Sequence, residues 1–292
     1  MTDFMNLFNE LDAGDFSGIR EDYVRAPFGY AGGKSKCLDK ILPHLPYRDA
    51  YIEPFGGSGA VLLARQPSKL EVFNDRYAGV VAFYRCLHDK DLVDKLIERL
   101  SFLIYAREEF IWCKDTWKNC GDNVERAARW YYMHIFSFSN KGRHFGRSIK
   151  SKHTGVSKIE NHIKDFHIIH NRIKNVLIEN QDWRQILKDF DSPNVVFYMD
   201  PPYLEVSGGV YTHSMLNNEH KEMLDRIFTL DGFVAVSGYA NDLYDSYAWN
   251  NRYVWEQLVT IKGLAFTEEN RKLNLDDSNK RQTSEEVLWI KE

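Results

Sequence analysis

Apolar and polar positions follow two regimes along the chain. From about residue 50 short apolar runs alternate with helical repeats. "AYIEP" reads as a strand entering the turn "FGGSG", and "AVLLARQ" as the helix after it. "KLEVFN" reads as a second strand ending at Asp75, and "AGVVAFYRCLH" as a second helix. Strand–helix alternation predicts an α/β fold, a parallel sheet covered by helices. Between about Asp91 and Lys174 the strand signal stops. "DLVDKLIERL", "REEFIWCKDTW", "VERAARWYYMHIFSF" and "KIENHIKDFHIIHNRIK" are helical and rich in aromatic residues. Strands resume with "NVLIEN", "NVVFYM" and "GFVAVSG". This pattern predicts a sheet domain built from 25–94 and 175–292, interrupted by a mainly helical recognition domain at 95–174. The first two dozen residues read as a short amphipathic helix (Phe4, Leu7, Phe8, Leu11) with a polar tail, an appendage over 1–24.

At 292 residues, with 43% apolar side chains, the chain is long enough to bury a large core. No window approaches the apolar length of a membrane span, and the acidic N-terminus is unlike a secretory signal. Cys37, Cys86, Cys113 and Cys120 lack paired spacing, so they read as free thiols in a reducing cytosol. The net charge of −4 disfavours a polyanionic partner, but the charge is uneven. Nine Lys/Arg fall between Lys141 and Lys174 against only Glu160 and Asp165. Interleaved with Gly142, Phe145 and Gly146, this patch reads as a binding loop for a polyanion. Five histidines fall in the same stretch, but no carboxylate or cysteine cluster completes a metal site, so no metal is expected.

Three stretches carry candidate chemistry. In "EPFGGSGAV", Glu53–Val61, three glycines between a strand and a helix permit a tight turn and close approach to a ligand. The missing G-x-G-x-x-G spacing argues against a dinucleotide. Asp75, ending the next strand, suits the two hydroxyls of a ribose, or serves as a helix cap. "APFGYAGGKSK" adds an aromatic ring and Lys34. Finally, "DPPY" follows a strand: proline stiffens this turn, so the Asp200 carboxylate and the Pro201 carbonyl become adjacent acceptors beside the Tyr203 ring. Two acceptors and a stacking face suit a planar aromatic amine, such as adenine N6 or cytosine N4.

"FGYAGGK", "EPFGGSG" and "DPPY", in that order around an insertion, resemble the motifs of Dam-type N6-adenine DNA methyltransferases of the α group, D12 class. The resemblance covers the chain from about Arg25 to "EEVLWIKE". It implies a Rossmann-like methyltransferase sheet and S-adenosylmethionine as methyl donor, with S-adenosylhomocysteine as product. It also implies double-stranded DNA as substrate, with no membrane, no obligate protein partner and a monomeric enzyme in a bacterial or phage-infected cell. Carried over by residue, Tyr30, Lys34, Phe55, Gly56, Gly57 and Gly59 contact the donor, Asp75 holds its ribose, and Asp182 in "ENQDW" its adenine. Asp200, Pro201, Pro202 and Tyr203 form the catalytic tetrad.

Relatives that read GATC carry a pattern resembling R-Y-N-x-x-G-x-F-N-x-P-F-G. Here "SFSNKGRHFGRSIKSK" is shorter, lacks the proline and has Ser137 where the guanine-reading arginine aligns. Asn140, Lys141, Arg143, Arg147, Lys150 and Lys152 are the expected DNA contacts. Lysine and arginine contacts to phosphate give affinity without sequence information, whereas Arg143 or Arg147 on a guanine edge would read sequence. Phage and prophage members of the family include enzymes of low specificity, which is the expectation here. Methylation of cytosine N4 or of an RNA base, and a catalytically silent DNA-binding module, are the alternatives.

Overall fold

A computed structural model describes residues 23–30, 32–137, 142–146, 156–204, 215–258 and 283–292. In chain order these residues form α1 (Leu38–Ile41), β1 (Ala50–Glu53), α2 (Ala60–Ala64), β2 (Leu70–Asn74) and α3 (Ala78–His88). The helical block follows as α4 (Lys90–Ser101), α5 (Arg107–Thr116), α6 (Asn123–Phe136), α7 (Val156–Ile163) and α8 (Phe166–Ile173). The sheet resumes with β3 (Leu177–Glu179), α9 (Trp183–Phe190), β4 (Val195–Met199), α10 (Asn217–Ile227) and β5 (Phe233–Tyr239). The last elements are α11 (Asp242–Asp245), β6 (Asn251–Leu258) and β7 (Thr283–Lys291).

The strands join in one sheet of order β3-β2-β1-β4-β5-β7-β6. β3, β2, β1, β4 and β5 run parallel, while β7 lies antiparallel between β5 and β6. The strand order reverses between β1 and β4, where a doubly wound sheet opens a crevice beyond its carboxyl ends. The chain was expected to make a parallel sheet; β6 and β7, paired antiparallel, add an antiparallel edge.

Alternation along the strands divides the core in two. Tyr51, Phe73, Val196 and Tyr198 face the side covered by α2, α3 and the helical block. Ile52, Val72, Phe197 and Met199 face α9 and α10. β4 is buried at all five positions, as a central parallel strand requires, while edge strand β3 is only half-buried. Each fully buried Val, Ile or Phe contributes roughly 1.5–3 kcal/mol.

The helical block is continuous with the sheet-side core. Phe83 of α3 stacks on Tyr131 of α6 at 4.5 Å, and both rings meet Phe166 of α8 edge-on. Arg172 of α8 donates to Glu71 of β2 at 2.5 and 2.9 Å and to the Leu62 carbonyl at 2.5 Å. Asp89 caps α4 and Asp122 caps α6. The run "KIENHIKDFHIIHNRIK" breaks between α7 and α8, at Lys164 and Asp165. Apart from Tyr23 and Val24, which pack on the core, the appendage over 1–24 lies outside the described residues.

Candidate active site

β1, β2 and β4 end on a cavity of about 260 Å³, lined among others by Glu53, Phe55, Gly57, Asp75, Asp200 and Pro201. The turn after β1 forms because glycine alone fits it. Gly59 begins α2 with φ 64°, in the left-handed region. A Cβ on Gly56 would stand 2.2 Å from the Phe73 ring. The turn is tied to the end of β2: Gly57 N–H donates to Asp75 Oδ2 at 2.8 Å, and Tyr77 N–H to Oδ1 at 2.7 Å. Burial pushes the Asp75 carboxyl up to about 6, against the pull of those two backbone donors. Asp75 therefore both braces the turn and forms part of the cavity wall.

Tyr30, Lys34, Phe55, Gly56 and Gly57, the expected donor contacts, join Asp75 in the lining. Gly59 shapes the turn from outside the lining among the described residues. Asp182 is also outside it. Its carboxylate caps α9 through the Arg184 N–H at 3.0 Å and pairs with Arg76 at 2.5 Å. Its neighbours Gln181 and Trp183 line the cavity instead.

Lys34, in the cavity wall, is also tied into the protein. Its ammonium donates to the Gly32 carbonyl (2.8 Å), Asp200 Oδ1 (2.5 Å) and the Tyr203 hydroxyl (2.5 Å). An ammonium has three N–H donors, so all are used within the protein. Burial lowers its pKa, but Asp200 and Glu286 outweigh burial and hold it above the ordinary lysine value. Asp200 also receives the Ser237 hydroxyl at 3.2 Å, again on Oδ1; among the described residues no bond falls on Oδ2. Burial pushes the Asp200 carboxyl up to about 6, with Lys34 pulling it down and Glu286 pushing it up.

Pro201 and Pro202 line the cavity beside Asp200. Tyr203, expected as a stacking face, is buried and outside the lining among the described residues. Its hydroxyl donates to Glu286 at 2.6 Å, and its ring meets Tyr239 edge-on at 4.4 Å.

Sequence reasoning missed Glu53, Glu286 and His134. Burial pushes the Glu53 carboxyl up to about 8, while the Tyr51 hydroxyl donates to it at 2.7 Å. His134 of α6 bonds to the Gly29 carbonyl at 2.7 Å and stacks on Tyr30, joining the helical block to the cavity rim. Burial lowers its pKa to about 4, so the neutral ring donates this bond. An acid inside "EEVLWIKE" was the available signal for Glu286, but Glu285 beside it is exposed and the sequence does not separate the two.

Among the expected DNA contacts, Arg143 stands exposed on the loop 142–146. Asn140, Lys141, Arg147, Lys150 and Lys152 lie outside the described residues. Ser137 is engaged within the protein. Its hydroxyl donates to the His134 carbonyl at 2.8 Å and accepts the Gly142 N–H at 2.7 Å. An isolated bridge joins it to Phe145. Among the described residues no helix is long and apolar enough to cross a membrane.

Over 204 residues the chain is 29% identical to the Type II methyltransferase M.MjaIII of Methanocaldococcus jannaschii, covering 60% of this chain and 67% of that protein. It is 24% identical over 189 residues to the DNA adenine methylase of Salmonella typhi, covering 63% and 66%. The Type II methyltransferase M.CviBI of Paramecium bursaria Chlorella virus NC1A is 25% identical over 233 residues, covering 75% and 85%. The first two matches thus span about two thirds of those relatives' own length. Residues 30–261, which include the cavity lining and the sequence Asp200–Tyr203, match the profile of one family, and the chain belongs to it: the D12 class N6 adenine-specific DNA methyltransferases.

Proposed function

We propose that this chain methylates the N6 amine of adenines flipped out of double-stranded DNA, using S-adenosylmethionine and little sequence discrimination. One observation carries the reading: Asp75 and the Asp200–Pro201 pair, from the ends of different strands, line a single cavity. The cavity suits the donor. Asp75 offers a carboxylate for two ribose hydroxyls, Tyr77 and Trp183 offer flat walls, and the glycine turn leaves its backbone bare for close approach. When bound, the donor supplies an electrophilic methyl on a sulfonium.

What the protein must do is aim the nucleophile. The lone pair of an exocyclic amine is delocalised into its ring. Asp200 Oδ2 and the Pro201 carbonyl accept its two N–H bonds and favour a pyramidal nitrogen with its lone pair aimed at the methyl group. Such catalysis by alignment and fixed dipoles needs no covalent enzyme intermediate. Asp200 serves as an acceptor when ionised, so transfer should fail as pH drops through about 6. The base is out of reach inside a duplex, and flipping costs a few kcal/mol. Tyr203 is the proposed stacking partner, its ring oriented by the hydroxyl's bonds to Lys34 and Glu286.

Relaxed specificity is supported by Ser137, whose hydroxyl braces the loop from inside where relatives carry an arginine. The helical block with this loop is the proposed target-recognition domain, and the sheet the catalytic one. The test uses labelled donor with random-sequence duplex, adenine-free duplex, and the Asp200→Ala protein. Transfer that requires adenine, spreads over many contexts and disappears in Asp200→Ala is expected. Transfer to adenine-free DNA, or near-normal turnover in Asp200→Ala, would sink the reading. A sharp sequence motif would remove the relaxed specificity alone.

A further inference from the structure

Lys34 stands between two carboxylates, and the reaction above uses only one. Asp200 Oδ1 lies 2.5 Å from its nitrogen and Glu286 Oε1 3.5 Å. Glu286 is 1% exposed. It reaches the site because β7 pairs with β5 in a register that sets Glu286 opposite Tyr239. A carboxylate buried so deeply is costly without a partner. Yet Asp200 already matches the charge of Lys34, and a closed Lys34–Asp200 pair would offer the amine an almost neutralised acceptor. With Glu286 on the far side, the three groups carry one net negative charge.

The other groups facing Asp200 leave that count unchanged. Ser237 of β5 donates to it and bonds to the Tyr198 hydroxyl of β4 at 2.9 Å. Burial raises the Tyr198 and Tyr244 phenols and the Cys37 thiol beside Lys34, so all three stay neutral. His220 of α10, bonded to Tyr244 at 2.8 Å, is lowered by burial to about 4 and is neutral too.

We propose that Glu286 is a positioning residue for methyl transfer: acting through Lys34 and the Tyr203 hydroxyl, it offsets the Lys34 charge and so makes the ionised Asp200 carboxylate a stronger acceptor for the substrate amine. The inference rests on Asp200 being the amine's acceptor. Glu286 and Lys34 push the Asp200 titration in opposite directions, Glu286 upward and Lys34 downward. That opposition separates an electrostatic role from mere support.

The test is single-turnover transfer to adenine-containing duplex at saturating donor, followed against pH. Glu286→Gln keeps an oxygen for the Tyr203 hydroxyl but removes the charge. Its plateau rate should fall about tenfold, the equivalent of ~1.4 kcal/mol, while the acid limb moves to lower pH. Lys34→Met should move the limb to higher pH. Glu286→Asp, which keeps the charge, should hold the limb near its wild-type position. Donor affinity, read by calorimetry, should be unchanged in Glu286→Gln. An unmoved limb with a plateau within about twofold of wild type would overturn the proposal. So would Glu286→Asp shifting the limb as far as Glu286→Gln, or a rate loss explained by weaker donor binding. If Glu286→Gln does not fold, Glu286→Ala, which also removes the charge, takes its place: the same acid shift and plateau loss are expected, and an unmoved limb with a wild-type plateau overturns the proposal. A wild type that does not methylate adenine would overturn the underlying reading as well.

Discussion

Replacing Asp75 by Asn should move stability and donor affinity in opposite directions. The carboxyl is held at about 6 against an ordinary 3.8. Each tenfold in acidity corresponds to about 1.4 kcal/mol, so keeping Asp75 ionised at neutral pH costs the fold about 3 kcal/mol. A raised acid pKa has a definite sign: the cost is absent below the unfolded value near 4, grows between 4 and 6, and stays constant above. Asparagine removes it. The amide oxygen can accept only one of the Gly57 and Tyr77 N–H bonds well, and the lost bond returns about 1 kcal/mol of destabilisation. The free Asn variant should therefore be more stable at pH 7.5 by about 2 kcal/mol, a rise of several degrees in Tm. Donor binding should suffer, because a carboxylate accepting two hydroxyls is exchanged for a neutral amide. A charged hydrogen bond is worth about 1.5–3 kcal/mol, or about ten- to more than a hundredfold in Kd. In the wild type, donor affinity should also fall as pH drops through about 6, and this dependence should vanish in the variant. Calorimetric titration and thermal unfolding across pH 5–8 read all three quantities. Unchanged donor affinity in a folded Asp75→Asn protein would take Asp75 out of the donor site. A large loss of stability would mean that its backbone bonds outweigh the burial of its charge.

The remaining expectations concern the scaffold and the DNA. Arg172→Ala leaves Glu71 buried with only Arg65 at 3.4 Å, and urea unfolding should register a loss of about 3–5 kcal/mol; a loss under about 1 kcal/mol would refute the pairing. Gly56→Ala drives a methyl group into the Phe73 ring, so it should cost about 1–3 kcal/mol and weaken donor binding; a neutral outcome would mean that the turn has room to shift. Arg143→Ala should lower the slope of log affinity against log salt by about one, as for a lost phosphate contact; a new preference at one neighbouring base would instead make Arg143 a reader.

The sheet, and the place of Asp200 at the end of β4, were legible because their signals are local. "AGVVAFYRCLH" is α3 residue for residue, and the run before Asp200 is β4. The break between α7 and α8 was hidden because neither proline nor glycine marks it. The antiparallel edge was hidden too. β6 reads "NRYVWEQL", in which alternation is blurred by an exposed valine at Val254. At the site, the glycine turn, Asp75 and Asp200 stand where their spacing implied, since each closes a strand. Lys34 lines the cavity too, but its partners were hidden because they are remote in the chain, and Asp182 stands outside the lining, where it caps a helix locally. No pattern within "FGYAGGKSK" announces that the lysine's three N–H bonds go to Gly32, Asp200 and Tyr203.

The bonds around Lys34 close chain loops of 166 and 83 residues. Closures of that length cost chain entropy before the contacts return anything, and they depend on the central strands and the antiparallel strand docking together. The arrangement around Asp200 therefore has no local existence: an isolated segment carrying "DPPY" lacks the cation bonded to it. Contacts within the helices are near in sequence, whereas those around Lys34 are not. Competence to modify a base is in this sense a property of the finished topology, acquired in the same cooperative step that completes the sheet.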